Sequence, residues 1–353
     1  MSEGFAKSLF IGTFMISRIR IAVCAKPCRH ANNDLGTKQA GTELMKGIKG
    51  EFSRLENDVK LRLDTLLIWQ HIELQEGRYA DKLDRVRTIL QVEPYSSEAQ
   101  LAQLARRRSD VIAEYRNPYV DFASTYKHVE GSQEFRNWLD SSYSQVLVLS
   151  GYNDARDATH CWLSPVALNF IAKMTSPEAT RDTANVCIFY ILGLRDEDNT
   201  FTRVTRFLIY RLLLENKQGL RKQEEVQELD RELDEYTSLI AKPDVPMHEL
   251  QEVLAKILVR SLGLFDSGTN IWIILERADQ CRAPRAEGRL GPRDTQRKAL
   301  LKTMVHAAQN SKVILKILVV VSARDWNVEK HADELGQHKA SSLVLRTFEE
   351  DDL

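Results

Sequence analysis

The sequence predicts an α/β fold, in which a five-stranded parallel sheet flanked by helices follows an all-helical N-terminal region. Over the last two thirds of the chain, short apolar, β-prone runs alternate with segments of helical periodicity, an order that predicts a parallel sheet with right-handed crossovers. In residues 42–130, apolar side chains recur instead every three or four positions, which is typical of helices. We therefore predict a flexible leader (residues 1–41), a helical region (42–130) and an α/β domain (131–353).

Composition excludes several classes of protein. The chain has 353 residues, of which 43% are hydrophobic, and a formal net charge of -1. Because basic and acidic residues balance, no global field draws the chain to nucleic acid, and we predict no such partner. No apolar run reaches the roughly 18 residues of a membrane helix, so no membrane span is predicted. Five scattered cysteines fit a reducing compartment better than a disulfide framework, and the predicted location is the cytoplasm.

The first residues leave a second location open. Residues 4–33 contain no acidic residue, and their basic residues are interspersed with apolar ones, a composition that resembles a mitochondrial transit peptide. The mitochondrion is therefore the alternative location. The same residues can instead be a poorly ordered leader, or an N-terminus that is not the native start.

The helical region is interpreted as three helices. Apolar spacing predicts two of them, parted or kinked near Gly77, and Ser96 or Ser97 caps a third, which ends before Pro118. This third helix carries the basic run 106–108, which is either a docking patch or a solvated face. Protein partners are expected to bind through the helical region, and oligomer formation is left open.

Five apolar runs are predicted to be the strands of the sheet. They cover residues 145–150, 184–192, 270–275, 312–321 and 341–347. Helical spacing is found between them, at residues 164–174, 200–214, 221–239, 247–262 and 295–309. Residues 221–239 are mostly charged, which predicts an exposed helix whose narrow apolar stripe is a solvated face or a short coiled-coil contact.

The first strand, the loop that opens at Gly151 and the following helix have the order of the phosphate-binding pattern G-x-x-x-x-G-K-[S/T]. In that pattern, backbone N–H groups wrap phosphate and the lysine reaches its outer oxygens. Counted from Gly151, the second glycine, the lysine and the hydroxyl positions hold Arg156, Asp157 and Ala158. A shift by one residue brings Thr159 to the hydroxyl position, but no register supplies the lysine.

Asp157 would reverse the electrostatics of such a loop. A lysine about 4 Å from phosphate contributes on the order of 4 kcal/mol at an effective dielectric constant of about 20, and a carboxylate has the opposite sign. Since about 1.4 kcal/mol corresponds to a tenfold change in affinity, this difference removes ordinary ATP affinity. Arg156 can compensate in part by turning inward, although a side chain at a glycine position also blocks the phosphates.

Two further predicted strands end in polar residues. The strand at 270–275 is followed by Glu276, Arg277, Ala278, Asp279 and Gln280, and the strand at 312–321 leads into Ser322, Ala323 and Arg324. Ligands of open α/β sheets bind outside the carboxyl ends of the strands, and acidic residues at such ends hold Mg²⁺ in P-loop NTPases. A solvated strand end is the alternative interpretation.

In this order the segments resemble the NACHT-like class of STAND P-loop NTPases, particularly the large fungal set. The resemblance covers residues 131–353 and rests on the phrases VLVLSG, NVCIFYIL followed by FLIYRLLL, WIILERADQC and VVVSARDW. It implies a P-loop NTPase-like sheet with a degenerate Walker A phosphate loop, of which only Gly151 is retained. It also implies a downstream winged-helix region and repeat array, so this chain is either a short form or a fragment.

The resemblance assigns roles one residue at a time. Glu276 stands where the family has its Mg²⁺-associated acid, Asp279 matches the second acid, and Arg324 matches the basic sensor of the terminal phosphate. Gln280 replaces the glutamate that polarises the attacking water. The candidate nucleotide contacts are Gly151, Arg156 and Thr159. The implied cofactor is Mg-ATP or Mg-GTP, and Glu276 would bind the metal only if nucleotide binds.

The missing lysine, hydroxyl and water-polarising glutamate lead to the predicted function. The leading hypothesis is a pseudo-NTPase of the STAND class, a signalling or interaction module with impaired nucleotide binding. One alternative is a working ATP- or GTP-dependent switch that uses Arg156, Arg324 and the acidic pair. Another is a helical adaptor to which the α/β domain only adds bulk.

Overall fold

A single long helix forms the beginning of the described chain. The computed structural model describes residues 34–114, 122–152, 161–176, 185–193, 199–221, 223–282, 293–331 and 342–349. Helix α1 (Asp34–Leu90) is continuous, so the predicted break at Gly77 is wrong. The chain divides into two units, Met1–Ile72 and Glu73–Leu353. Most of the predicted leader lies outside the described residues, and residues 34–41 already belong to α1.

In the first unit, the described residues form one exposed helical stretch. From Gly41 to Ile72 every side chain is exposed. The ion pairs found there are local and solvent-facing, with Lys46–Glu43 and Arg62–Asp58 both at 3.5 Å. Pairs of this kind each stabilise a helix by only about 0.2–0.5 kcal/mol. The described residues of this unit therefore leave its many apolar side chains uncovered.

In the second unit, the sheet confirms the predicted α/β fold. It contains β1 (Gln145–Tyr152), β2 (Asn185–Ile191), β3 (Asn270–Glu276), β4 (Ile314–Ser322) and β5 (Leu343–Glu349). All neighbours are parallel and the strand order is β2-β3-β4-β1-β5. Strands β1 to β4 have polar side chains at only one or two positions each, because helices cover both faces of the sheet.

The helices of the second unit form two layers. The layer on one face contains α2 (Ser97–Glu114), α3 (Phe122–Gly131), α4 (Gln133–Asp140) and α5 (Ser164–Met174). The layer on the other face contains the end of α1 with α6 (Phe201–Glu215), α7 (Gln223–Ile240), α8 (Met247–Gly263) and α9 (Arg293–Asn310). Adjacent residues of β1 point alternately into the two cores, with Val146 and Val148 in one and Leu147 and Leu149 in the other.

This layering fixes where the sheet can hold a ligand. The crossover from β1 to β2 runs through α5 on one face, and the crossovers that return through β3 to β4 run through α6 to α9 on the opposite face. The neighbouring strands β1 and β4 therefore border a topological switch point, where open α/β sheets bind ligands beyond the carboxyl ends of their strands.

Helix α7 corrects one prediction. The residues of its apolar stripe, Val226, Leu229, Leu233 and Tyr236, are all buried in the core rather than exposed. The stripe packs beside α8, and the abundant charges lie on the remaining faces of α7. A charge-rich composition thus concealed a core helix.

None of the helices in the described part of the chain is long and apolar enough to cross a bilayer.

Candidate functional site

The carboxyl ends of β1, β3 and β4 meet at the switch point. Gly151 lies opposite Ser322 in the β1–β4 ladder, and Glu276 lies opposite Val320 in the β3–β4 ladder. The Ala323 N–H donates to the Gly151 carbonyl oxygen at 2.9 Å, which extends the pairing past the strand ends. Gly151 and Glu276, predicted from separate motifs, therefore lie at the same edge of the sheet.

A hydroxyl group that the motif spacing missed lies against Glu276. Ser164, the first residue of α5, donates from Oγ to Glu276 Oε1 at 2.5 Å, and both side chains are fully buried. In a phosphate-binding loop, the serine or threonine that begins the helix holds Mg²⁺. Ser164 occupies that position in the fold, although it follows Gly151 by 13 positions (164 − 151) instead of the 7 in the pattern. The start of an amphipathic helix at Ser164-Pro165 was the sequence signal for it.

When the phosphate-binding pattern is aligned on Ser164 instead of Gly151, large side chains fill the space in which the phosphate groups would bind. Trp162 and Leu163 stand where the pattern has glycine and lysine, and both are fully buried. A Cβ atom on Gly151 would lie only 3.0 Å from Leu163 Cγ and Cδ1 and from Trp162 Nε1. The space above the end of β1, where phosphate would approach backbone N–H groups, therefore contains an indole and an isobutyl group.

A cation from another helix occupies the neighbourhood of Glu276. Arg107, on α2, donates from Nη2 to Glu276 Oε1 at 3.1 Å, and its side chain is only 10% exposed. The second oxygen of Glu276, Oε2, has no hydrogen-bond partner among the described residues. Arg107, the middle residue of the basic run 106–108, is therefore buried. It belongs to neither a docking patch nor a solvated face. Arg107 thus neutralises the Glu276 carboxylate, a role that the resemblance assigns to Mg²⁺.

The second predicted acid, Asp279, forms a buried clasp between β3 and β4. It accepts hydrogen bonds from Arg277 Nη2 and Gln280 Nε2, both at 2.7 Å, and from the Ser322 N–H at 3.1 Å. Burial alone would lower the pKa of Arg277, but the Asp279 carboxylate outweighs it, so this pKa lies above its usual value. Arg277 adopts a left-handed backbone conformation with φ of 62°, and its Nε also donates to Asp279 Oδ1 at 3.0 Å. These hydrogen bonds give Asp279 a structural role.

The remaining predicted residues are less well placed. Gln280, expected where a water-polarising glutamate would lie, is buried and accepts from Arg282 Nη2 at 2.6 Å. Arg324 follows β4 at the correct edge, but its side chain is exposed. Arg156 and Thr159 lie outside the described residues, as do Asp157 and Ala158.

The described residues of the site provide neither a metal centre nor a reactive thiol. Among the residues that the structure describes, no three His, Cys, Asp or Glu side chains are grouped to hold a metal ion. Cys161 Sγ lies 3.4 Å from the Val321 carbonyl oxygen, and burial raises the pKa of the Cys161 thiol to about 12. The thiol therefore stays protonated and unreactive at neutral pH. The Arg107–Glu276 ion pair and the side chains that fill the space above Gly151 do not fit a magnesium–nucleotide group.

A cavity of about 540 Å³ opens at the carboxyl end of β2, the strand next to β3. Its lining includes Tyr190, Arg203, Arg206 and Phe207. Neutral acceptors hold Arg206, whose Nε donates to Tyr236 Oη at 2.5 Å and whose Nη1 donates to Gln91 Oε1 at 3.2 Å. This cavity therefore lies next to the end of β3, which carries Glu276, but β3 and β4 separate it from Gly151 on β1.

Comparisons with known proteins identify no relative. No family model, no curated protein and no solved structure matches the chain. The NACHT-like resemblance therefore stays a prediction from the residues, and the function must be argued from the geometry at the sheet edge.

Proposed function

We propose that the chain is a pseudo-NTPase of the STAND class, an interaction or signalling module whose P-loop NTPase-like domain does not bind nucleotide phosphates. One observation carries the proposal. Trp162 and Leu163 fill the space above Gly151, at the positions that a phosphate loop gives to glycine and lysine. Without that space, backbone N–H groups cannot reach phosphate oxygens.

The contacts of Glu276 support the same proposal. In a working site, an acid at this position and the hydroxyl at the start of the helix share the coordination of Mg²⁺ and its water. Here the Ser164–Glu276 hydrogen bond is retained, but Arg107 supplies the positive charge from within the chain. A buried internal ion pair is a structural use of the acid, because Arg107 neutralises the Glu276 carboxylate from within the chain.

Calorimetric titration of the full chain with Mg-ATP and with Mg-GTP tests the proposal. We expect no binding up to millimolar nucleotide, and dissociation constants in the micromolar range would refute it. The double variant Trp162→Gly, Leu163→Lys restores the G-K-S sequence before α5 and serves as a matched probe. Weak nucleotide binding gained only in this variant would show that the two side chains are what closes the site.

The cavity at the end of β2 favours a second candidate, a nucleotide switch with a non-standard site. Arg203 and Arg206 line it, and no carboxylate pairs with Arg206 among the described residues. If titration detects nucleotide, Arg206→Ala will weaken the binding at least tenfold in this candidate. Glu276→Gln will abolish binding instead if the nucleotide occupies the predicted site between β1 and β3.

The partners belong to the proposal as well. The exposed part of α1 is the element that we expect to contact other proteins, because its apolar side chains lie in solvent. The helical-adaptor alternative predicts that partner binding survives deletion of residues 131–353. The cytoplasm is the proposed compartment and the mitochondrion its alternative, which fractionation of cells that express the tagged chain will decide.

A further inference from the structure

The cavity at the carboxyl end of β2 has the size and the position of a small-molecule site. Its volume of about 540 Å³ lies within the range of roughly 300–1,000 Å³ that is usual for such sites. Strand β2, the first turns of α6, the residues between α1 and α2 and the beginning of α2 supply the lining. All of these residues belong to the second unit. The cavity is therefore a feature of one compact part of the chain.

One part of the lining is apolar and aromatic. Phe189 and Ile191 of β2 are buried, whereas Tyr190 and Phe207 are only half-buried. The rings of Tyr190 and Phe207 meet edge to face, with their centroids 5.0 Å apart. Aromatic walls of this kind pack well against the flat, apolar body of a ligand.

Arg206 is a cation of the cavity that the structure holds in a defined position. Its Nε donates to Tyr236 Oη and its Nη1 to Gln91 Oε1, and both of these acceptors are neutral. Its third nitrogen, Nη2, has no hydrogen-bond partner among the described residues. Arg211 on the same helix, by contrast, is neutralised by Glu215 at 2.8 Å. Arg206 therefore keeps its charge and the donors of Nη2 for an anion.

Gln91, which holds Arg206, has an unfavourable backbone conformation. It follows the last residue of α1 and has a φ of 51°, in the left-handed region that residues other than glycine rarely adopt. Glycine is the usual residue at this position after a helix, because it has no Cβ to strain. Strained residues of this kind cluster at sites that hold ligands. The strain at Gln91 is therefore an indication of binding that is independent of the cavity volume.

We propose that this cavity binds a small aromatic monocarboxylate, whose carboxylate pairs with Arg206 and whose ring packs against Tyr190 and Phe207. The planar fork of a guanidinium matches the two oxygens of a carboxylate. The inference goes beyond the pseudo-NTPase role and does not depend on it. It gives the interaction module a small-molecule ligand, at a place that β3 and β4 separate from the filled space above Gly151.

The charge of the lining favours one carboxylate over a nucleotide. Among the described residues that line the cavity, two arginines and one glutamate give a net charge of +1 (2 − 1). Glu93 is the glutamate, and it repels the additional negative charges of a phosphate chain. A ligand with a single negative charge therefore matches this lining, which distinguishes the inference from the nucleotide candidate above.

Calorimetric titration of the full chain with matched probes tests the ligand class. The probes are benzoate, cinnamate and indole-3-acetate, each compared with its neutral amide. We expect a submillimolar dissociation constant for at least one acid and binding at least tenfold weaker for its amide. A hydrogen bond between charged groups contributes on the order of 10- to 100-fold in affinity. Equal binding of acid and amide, or no binding of any acid, would overturn the proposal.

Three substitutions test the location. Arg206→Met should weaken binding of the acid at least tenfold and leave binding of the amide unchanged. Arg231→Met is the matched control, because Arg231 lies on α7, is 75% exposed and does not line the cavity. Ala99→Trp fills the cavity from an exposed position of its lining and should abolish binding of both probes. Equal losses in the two arginine variants, or unchanged acid binding in Arg206→Met, would refute the site.

Gln91→Gly separates binding from stability. It removes the strained side chain, so the urea midpoint should rise, and it leaves Arg206 without one of its two acceptors, so acid binding should weaken at least threefold. A higher midpoint with unchanged binding would mean that Gln91 does not position Arg206 for a ligand. Displacement of the bound acid by Mg-ATP would support the nucleotide candidate and overturn the preference for a single charge.

Discussion

Two regions of this protein invert the usual distribution of side chains. The exposed part of α1 keeps apolar side chains such as Phe52 and Trp69 in solvent, at 62% and 65% exposure. The carboxyl edge of the sheet buries charged side chains, including Glu276, Arg277 and Asp279. Since exposed apolar patches and buried charges are the two costly departures from normal burial, each needs a physical reason.

The two regions solve this problem in different ways. At the sheet edge the buried carboxylates Glu276 and Asp279 each have an opposite charge beside them within the same unit, Arg107 for Glu276 and Arg277 for Asp279. On α1, the described residues of the first unit supply no such partner. The comparison teaches that the sheet edge balances buried charges internally, whereas no described residue of the first unit covers the apolar side chains of α1.

The largest expected effect comes from breaking the buried pair at the sheet edge. Arg107→Ala leaves the Glu276 carboxylate buried without its cation, and we expect a loss of about 3–5 kcal/mol in the free energy of unfolding. The double variant Arg107→Met, Glu276→Leu removes both charges and should recover most of this loss. Urea unfolding followed by tryptophan fluorescence measures each value. A loss below 1 kcal/mol for Arg107→Ala would mean that water reaches the pair and the edge is open.

The next effect compares two leucines of the same helix. Leu83 is buried in the core of the second unit, whereas Leu61 is 66% exposed. Leu83→Ala should lower the free energy of unfolding by about 2–5 kcal/mol, because it leaves a cavity. Leu61→Ala should change it by no more than about 0.5 kcal/mol. Equal losses in the same urea experiment would show that the exposed part of α1 is covered within the protomer.

The sheet could be predicted from sequence because its strands are continuous apolar runs. The prediction of residues 145–150 became β1 at Gln145–Tyr152, and residues 270–275 became β3 at Asn270–Glu276. A strand covered on both faces has nearly all its residues apolar, which leaves a clear signal. The position of helix α7 was predicted correctly, but the burial of its apolar stripe was not. Four apolar residues among many charged ones do not indicate what they pack against.

The sheet edge could be predicted only in part. Glu276 was found because it follows a buried strand, a local signal. Arg107 was not found, because it precedes Glu276 by 169 residues and a run of three arginines has the pattern of a solvated surface. Ser164 was missed because the pattern fixes the loop length, and this loop is longer. Pairings between distant segments depend on the tertiary fold, which local patterns do not contain.

A buried lysine on β4 allows a test by pH. Lys316, on β4, is 2% exposed and donates from Nζ to the Trp138 carbonyl oxygen at 2.6 Å. Burial lowers its pKa from 10.5 to about 8, against a smaller opposing effect of Asp140. The unfolded chain therefore holds more protons between pH 8 and 10.5, and the contribution of Lys316 to stability rises with pH in that window.

Lys316→Met isolates this contribution. Burial raises the pKa values of Cys161, Cys187 and Cys281 to about 12, which lowers stability above about pH 9 in both proteins and cancels in the difference. We expect the variant to gain stability relative to wild type at pH 7, and this advantage to shrink by on the order of 2 kcal/mol by pH 10.5. Urea unfolding at four pH values measures it. A difference that does not vary with pH would mean that Lys316 is solvated.

The smallest effects come from the same substitution with opposite signs in the two regions. A Cβ at Gly47, on the exposed part of α1, would meet nothing within 4 Å, whereas one at Gly151 would lie 3.0 Å from two fully buried side chains. Gly47→Ala should therefore stabilise the helix by about 0.5–1 kcal/mol, since alanine loses less backbone entropy. Gly151→Ala should destabilise the second unit by about 1–2 kcal/mol, because Trp162 and Leu163 must move. Hydrogen exchange of the α1 amides measures the first value and urea unfolding the second. If Gly151→Ala leaves stability unchanged, Trp162 and Leu163 can move aside at little cost. The conclusion that these side chains close the phosphate-binding space would then lose its main support.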